Sequence, residues 1–576
     1  MNKATKPWKC LLFWTAVFLT VSPGYGKIHV IRDESLLDRQ HAEILADPEA
    51  LIDVRFSGAK NQIWRQGVAL QSVEPSQVLQ IRIDRRKPNL LLRDLTFENY
   101  ARIDILLEAP ARITITNCRF RNTGTLRCLY HDHGGTGATP VILENCLFED
   151  TDLNNPESSS WSFLVLEAAS GSSAAVIGEV EIRHNRFLAM DTSYSRARAG
   201  NGIEAAQRFG VRLTRRHERI SLQDITISDN TFLFQAPHFK TKGIVISNGA
   251  GDWQSGPVEP FWQHNHALSI TGNILNTDAE NPGHGIFIHG PFYKVVISDN
   301  QMTDFGDNFL TERTDHVHAD GALRFYGARP GKGGQNKGPF RDIQVTKNKI
   351  RTRSRGILID SVLDSCRVSE NVIEMRSEGD WWQSTTWLQS LFREDWAAIK
   401  IATGDPTRTE WSSHGIEVSH NHILCQGDRL PDRIGIEAHG VQNLLIHDNH
   451  IQEPSSYGIV VWRHAGMMVP SIGNTSISNN RIEFNQKNGF HSAFILDELA
   501  KVDKDPEFAA IIFFRQELKE NHVLAAEHPD TLRIENNTCQ SPAAAVPTVF
   551  IPIASRLNKP ADLMLVKGNE REDGSN

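Results

Sequence analysis

One eight-residue motif returns thirteen times along this 576-residue chain and limits the folds open to it more than any other feature. Two apolar residues separated by one position are followed by two polar residues, usually an Asn, then any residue and an apolar one. It reads VEIRHNRF ending at Phe187, ITISDNTF at Phe232, LSITGNIL at Leu275, VVISDNQM at Met302, IQVTKNKI at Ile350 and CRVSENVI at Ile373. It continues as IEVSHNHI ending at Ile423, LLIHDNHI at Ile451, TSISNNRI at Ile482 and LRIENNTC at Cys539. The earlier copies LLLRDLTF, ITITNCRF and VILENCLF carry Leu95, Cys118 and Cys146 in place of the Asn.

Alternation of apolar and polar residues predicts short, half-buried strands. The Asn at a fixed corner is expected to take the left-handed backbone of a sharp turn while its amide stacks coil on coil. The closest copies are 23 residues apart (Leu95 to Cys118, Asn348 to Asn371), which suits one coil of a three-faced helix of strands. Gaps of 50 residues (Asn371 to Asn421) and 57 (Asn480 to Asn537) read as a coil with an inserted loop or an extra coil with a degraded motif; loops of that length usually carry function. The predicted fold is all-β, a right-handed parallel β-helix of about 13 coils and roughly 60 Å at the ordinary strand spacing. Residues 34–46 have helical periodicity and are expected to cap the open edge of the first coil, and residues 505–527 read as a helical insertion.

Residues 1–26 read as a removable export signal: Lys3, Lys6 and Lys9 precede an apolar run from Cys10 to Val21, with Gly24 and Gly26 near the expected cut. The run is too short to span a bilayer, so the expected location is secreted or periplasmic, without stable membrane insertion. The remaining divisions are an N-terminal cap and first coils over 27–89, the β-helix over 90–545 and a C-terminal coil remnant and tail over 546–576. The formal net charge is −8, and losing three signal-peptide lysines takes it to about −11, which argues against a general nucleic-acid binder. Six cysteines beyond the signal (Cys118, Cys128, Cys146, Cys366, Cys425, Cys539) form no CxxC pair, so zinc held by thiolates is not expected. Cys118 and Cys146 occupy one repeat position in successive coils, within disulfide reach, and are expected to stack as free thiols.

A second strand follows many of the Asn turns and commonly opens with Gly: GIEAA from Gly202, GIVIS from Gly243, GIFIH from Gly285, GILID from Gly356, GIEAH from Gly435 and GIVVW from Gly458. ALRFY from Ala322, AIKIA from Ala398 and AFILD from Ala493 are related. In these windows the second and fourth residues point inward and the third and fifth outward. The outward set is Glu204, Phe287, His289, Arg324, Tyr326, Asp360, Lys400, Glu437, His439, Trp462 and Asp497. Carboxylates, imidazoles, a phenol and cations on one face suit proton transfer and charge stabilisation; a solvated face would also be polar. Eight tryptophans (Trp253, Trp262, Trp381, Trp382, Trp387, Trp396, Trp411, Trp462) fall mainly in long inter-coil segments, where they could stack on sugar rings or pack as a small private core. HisAspHis at His131 to His133 and TDHVHAD from Thr314 to Asp320 hint at metal or acid-base clusters, and with 23 histidines in the chain chance neighbours are expected. GKGG from Gly331 lacks the Ser or Thr and the helix of a phosphate loop.

The Asn-turn repeats from about Leu90 to Cys539 resemble those of the pectate-lyase-like superfamily of parallel β-helix proteins. That resemblance implies a long groove along one face and a polysaccharide lyase, glycoside hydrolase or uronan epimerase; one such fold hosts many chemistries. NGIEAA at Asn201 to Ala206 and WRHAG at Trp462 to Gly466 are similar to pieces of the alginate and chondroitin lyase motifs, which would make Glu204 a calcium-type ligand and Arg463 a charge-stabilising arginine. The Lys of that pattern is missing shortly before Arg463, where Glu437, His439 and Gln442 stand instead. The leading expectation is a secreted, monomeric lyase, with calcium as the candidate cofactor, that cleaves an acidic polysaccharide by β-elimination. In it Lys400, His439 or His289 would be the base, Tyr326 the acid and Arg324 a cation beside the uronate. The alternatives are a hydrolase using two carboxylates from Glu204, Asp360, Glu437 and Glu394 or Asp395, and a non-catalytic glycan-binding rod.

Overall fold

The computed structural model describes residues 28–573 except 32–50, 56–61, 64–68, 72–77, 84–88, 109–111, 132–138, 152–159, 169–174, 191–206, 215–219, 236–239, 248–264, 280–281, 291, 307, 311–316, 320, 327–339, 353, 362, 377–395, 403–412, 426–432, 440, 455–456, 464–473, 485–508, 516–530, 542–548 and 551–563. These residues form a right-handed parallel β-helix. Each coil contributes one strand to each of three long parallel sheets, here sheets 1, 2 and 3, which hold 16, 15 and 15 strands. A typical coil runs through Arg102–Leu107 in sheet 1, Arg112–Thr116 in sheet 2 and Arg119–Arg121 in sheet 3. Right-handed winding is the hand that twisted parallel strands joined by crossovers adopt.

The thirteen motif copies mark the middle coils, and plainer coils extend the rod at both ends. At the start, Gln62–Ile63 and Ala69–Gln71 pair forward without a recognisable motif. At the end, Met564–Lys567 and Glu570–Asp573 close a coil in which Arg571 takes the position that is apolar in the motif. Strand pairing also resolves the long gaps: Val372–Met375 pairs directly with His422–Cys425, and Arg481–Glu483 with Thr538–Ser541. Each gap is therefore a single coil carrying inserted chain. Within the expected helical insertion, Ala509–Arg515 is a strand of sheet 1. The expected cap over 34–46 lies outside the described residues, and none of the described residues is helical.

The corner between sheets 2 and 3 divides its work between two adjacent residues. The left-handed backbone belongs to the residue before the Asn: Asp229, Asp299, Glu370, His420 and Asp448 have φ between 54° and 57°. The Asn itself turns inward, almost fully buried, and builds a ladder. From Asn185 to Asn569 each side-chain amide donates to the next Asn carbonyl at 2.9 to 3.0 Å. That oxygen also accepts the backbone N–H of the Asn one coil earlier, as Asn371 does from Asn348 at 3.0 Å. Such buried donors are costly unless paired, so the ladder locks the register of every coil it crosses. Its first steps are thiols: the Cys118 backbone N–H reaches Cys146 Sγ at 3.4 Å, and all six described cysteines are buried thiols. Burial pushes the Cys128 and Cys366 thiols up to about 12, which leaves them unreactive.

Stacked side chains fill the interior, including Phe97, Phe120, Phe148, Phe187 and Phe232, whose successive ring centroids are 4.4 to 5.1 Å apart. The glycines that open the sheet 1 windows follow from this packing. A Cβ on Gly243 would stand 2.3 Å from Leu275 Cδ2, and one on Gly435 2.6 Å from Ile451 Cγ2.

Candidate functional site

Alternation in sheet 1 sends every second side chain out of the interior, and parallel register stacks these into two rows along the rod. One row passes through Asp104, Arg127, Val165, Arg212, Val245, Phe287, Arg324, Leu358, Lys400, Glu437 and Val460. The second, two residues along each strand, passes through Glu167, Thr214, Ser247, His289, Tyr326, Asp360, Ala402, His439 and Trp462. Val245, Leu358 and Val460 are only 6, 5 and 0% exposed, yet none belongs to the interior cluster. The middle of this face is therefore shielded from water, and charges on it act in a lowered dielectric.

Polar groups collect at three places. In the first coils Asp104, 1% exposed, receives Arg102 and Arg127 at 2.9 Å each, and Arg127 reaches Glu167 at 3.2 Å. Burial alone would lower the Arg127 guanidinium, and its bonds to Asp104 and Glu167 outweigh this and raise it. Two cations and two carboxylates satisfy one another here, as in a structural brace.

The second cluster is mixed in chemistry. The His284 ring lies flat on Phe287 with centroids 4.8 Å apart, held by Nδ1 donating to the Gly321 carbonyl at 2.9 Å. Phe287 is followed by His289 at 5.9 Å, and the His289 ring lies 5.3 Å from that of Tyr326, one coil on. Arg324 places its guanidinium carbon 4.7 Å from the Tyr326 centroid and 6.0 Å from that of Phe287. A half-buried imidazole, phenol and guanidinium thus share one patch with an aromatic platform.

The third cluster is the pair Lys400 and Glu437, register partners in adjacent coils with Nζ 3.1 Å from Oε1 and side chains 14 and 0% exposed. Leu358 stands between Arg324 and Lys400, so the two cations lie about 10 Å apart at two strand spacings.

Of the residues expected on this face, His289, Arg324, Tyr326, Lys400 and Glu437 are brought into the two rows, in two clusters. Asp360, His439 and Trp462 hold positions in the second row, Arg463 follows on the same strand and Trp396 begins the strand of Lys400; the side chains of these five lie outside the described residues. Glu204, Trp253, Trp262, Trp381, Trp382, Trp387 and Trp411 lie wholly outside them, as do Glu394 and Asp395. The strand of the Glu204 coil in sheet 1 is Gln207–Thr214, so its outward positions are Arg212 and Thr214. Likewise Ala509–Arg515, rather than the window from Ala493 that contains Asp497, fills the last full strand beside Tyr457–Arg463. Asp104 and Arg127 escaped the sequence reading because their strands lack the Gly opening, and His284 because it precedes Gly285; Arg212 lies in GVRLT from Gly210, a copy of the signal in register with the Gly243 window that the reading passed over in favour of the nearby Gly202.

These features define the class as a right-handed parallel β-helix protein with a polar, partly shielded face on sheet 1. Comparison with protein-family models, curated proteins and solved structures found no match to this chain.

Proposed function

We propose that the sheet 1 face binds an acidic, uronate-containing polysaccharide and cleaves it by β-elimination. The observation that carries this reading is the contact of the His289 imidazole with the Tyr326 phenol beneath the Arg324 guanidinium. In the reaction, His289 takes the C5 proton of the uronate, and the C4–O bond breaks as the C4–C5 double bond forms. Tyr326 returns a proton to the departing oxygen. Arg324 neutralises the carboxylate on which negative charge builds, in surroundings where such stabilisation is worth more than in water. The His284 and Phe287 stack offers an apolar face for a neighbouring sugar ring.

Lys400 fits a structural part: Glu437 at 3.1 Å compensates its charge, so the pair joins two coils of the face and leaves Arg324 to meet the uronate. A hydrolase built on Glu437 is disfavoured because that carboxylate is fully buried behind Lys400. The lysine-flanked apolar stretch at the N-terminus supports a substrate outside the cytoplasm, and the protein is expected to act there as a monomer. Glu204 remains the candidate ligand should calcium take part.

The test is incubation of the mature chain with acidic and neutral polysaccharides, with and without a calcium chelator, following absorbance near about 232 nm and new reducing ends together. Absorbance and ends rising in step support elimination. Ends alone would transfer the case to a carboxylate pair, and binding with neither signal to a glycan-binding rod.

A further inference from the structure

The geometry points to a divalent transition-metal site of the zinc class at the corner between sheets 2 and 3, away from sheet 1, built from His420, His447 and Asp448. One ligand atom from each lies within 4.8 Å of the others. His447 Nδ1 is 2.7 Å from Asp448 Oδ2, and His420 Nε2 is 4.0 Å from the same oxygen. Zinc takes nitrogen and oxygen ligands at about 2.0–2.2 Å in a tetrahedron, so its ligand atoms stand roughly 3.3 Å apart. Reaching that spacing needs shifts below about 1 Å from side chains free to make them, since His420 and Asp448 are 54 and 40% exposed. Water would fill the remaining position.

The Asn ladder fixes the backbone from which these groups project. His420 and Asp448 are the left-handed corner residues of adjacent coils, with φ of 56° and 54°. Immediately behind them Asn421 donates to Asn449 at 2.9 Å, which sets the distance between the corners. His447 ends the strand Val441–His447 one residue before Asp448, so both present themselves beside His420.

A second observation distinguishes this group from a chance surface cluster. The other ring nitrogen of His447, Nε2, lies 3.4 Å from Glu417 Oε1. That oxygen accepts the Ser419 hydroxyl at 2.7 Å, and Arg367 Nε lies 3.6 Å from it. A carboxylate behind the imidazole holds Nδ1 toward His420 and Asp448, the arrangement that orients histidine ligands in metal sites. Glu417 is thus a positioning residue, and the ion would clip two successive coils together.

The experiment is calorimetric titration of zinc into the full chain freed of any purification tag, repeated with cobalt(II) to read its visible absorption. We expect one ion per chain at this site with micromolar affinity. The double variant His420→Asn, Asp448→Asn should weaken binding at least about 100-fold; Asn tolerates both left-handed positions, and Asp448→Asn alone serves if the pair disturbs folding. Glu417→Gln should weaken it about 10- to 100-fold and shift the cobalt spectrum. His422→Gln, across the Asn ladder, should leave it unchanged. Absence of saturable binding, or binding with unchanged stoichiometry and affinity in both Asp448→Asn and the double variant, would overturn the assignment.

Discussion

Lys400 and Glu437 meet at 3.1 Å as register partners of neighbouring coils, with 14 and 0% of their side chains exposed. A pair held this far from water gains little net stability over apolar replacements, but losing one partner strands the other charge. Lys400→Ala or Glu437→Ala should therefore each cost roughly 3–5 kcal/mol, with the lower end fitting the slight exposure of Lys400. The double replacement Lys400→Met, Glu437→Leu should recover most of that loss. Urea unfolding midpoints of the four proteins check this, and additive losses in the double variant would show that the pair does not interact as described.

The Asn ladder makes a sharper demand, because each of its amides serves two coils. Asn348 accepts the Asn300 side-chain amide at 3.0 Å and the Asn300 backbone N–H at 3.1 Å, and itself donates to Ile297 and Asn371. Asn348→Ala should destabilise by about 1–3 kcal/mol for each donor left without a partner. The replacement should also raise amide hydrogen exchange at Asn300 more than at Asn537, far along the same ladder. Equal protection at both would mean that the ladder does not set local stability.

The motif spacing revealed the three-faced coil because one inward corner residue recurs whatever the insertions between copies. It assigned the left-handed turn to the Asn, whereas Asp229, His420 and their equivalents hold it. Most of the corners pair a polar residue with the Asn, and pattern alone does not say which of the two turns inward. On sheet 1 the small residue that opens each window located Phe287 and Glu437 through Gly285 and Gly435, where the inner packing leaves no room for a Cβ, and Arg324 and Lys400 through Ala322 and Ala398. The same signal pointed to Gly202 and Ala493, where strands later in the chain, Gln207–Thr214 and Ala509–Arg515, actually fill the sheet. A five-residue pattern recurs by chance inside long inserted segments, and only pairing register separates the copies. Burial of Glu437 was not legible either, because it depends on what covers Leu358 and Val460.

Acid should loosen the last coils in two steps. Burial, followed by the charge of His450, holds His422 below the ordinary histidine value of 6.5 against the opposing pull of Glu483. The unfolded chain then binds this proton more readily than the fold does, so the contribution is present above that value and lost as pH falls through it. Burial alone would raise Glu483, but hydrogen bonds from Gln452, His450 and Arg481, with the charge of His450, hold it below 4.5. Its contribution is present above the unfolded value and lost at more acid pH. Denaturant midpoints at pH 7.5, 5.5 and 4 should fall in both intervals, and His422→Gln should flatten the first interval only. An unchanged slope between pH 7.5 and 5.5 in that variant would rule out His422 as the first titrating group.

Tyr326 offers the most selective probe of the proposed elimination, because its hydroxyl can be removed while the ring that meets both His289 and Arg324 remains. Tyr326→Phe should keep the unfolding midpoint within about 0.5 kcal/mol of the parent, as expected for a change that spares packing. If the phenol delivers the proton to the departing oxygen, product formation should fall by about 10²- to 10⁴-fold, the usual worth of a positioned general acid. The loss should appear in kcat with KM little changed, since the hydroxyl acts on the transition state rather than on the bound chain. Arg324→Ala should behave differently and raise KM as well, because the guanidinium meets the uronate carboxylate both before and during reaction. A substrate with a good leaving group on C4 of the uronate, such as a 4-O-aryl uronate, should rescue Tyr326→Phe selectively, because little protonation of the departing oxygen is then needed. Rescue of Arg324→Ala to the same extent would remove the distinction between the two roles and with it the assignment of Tyr326 as the acid.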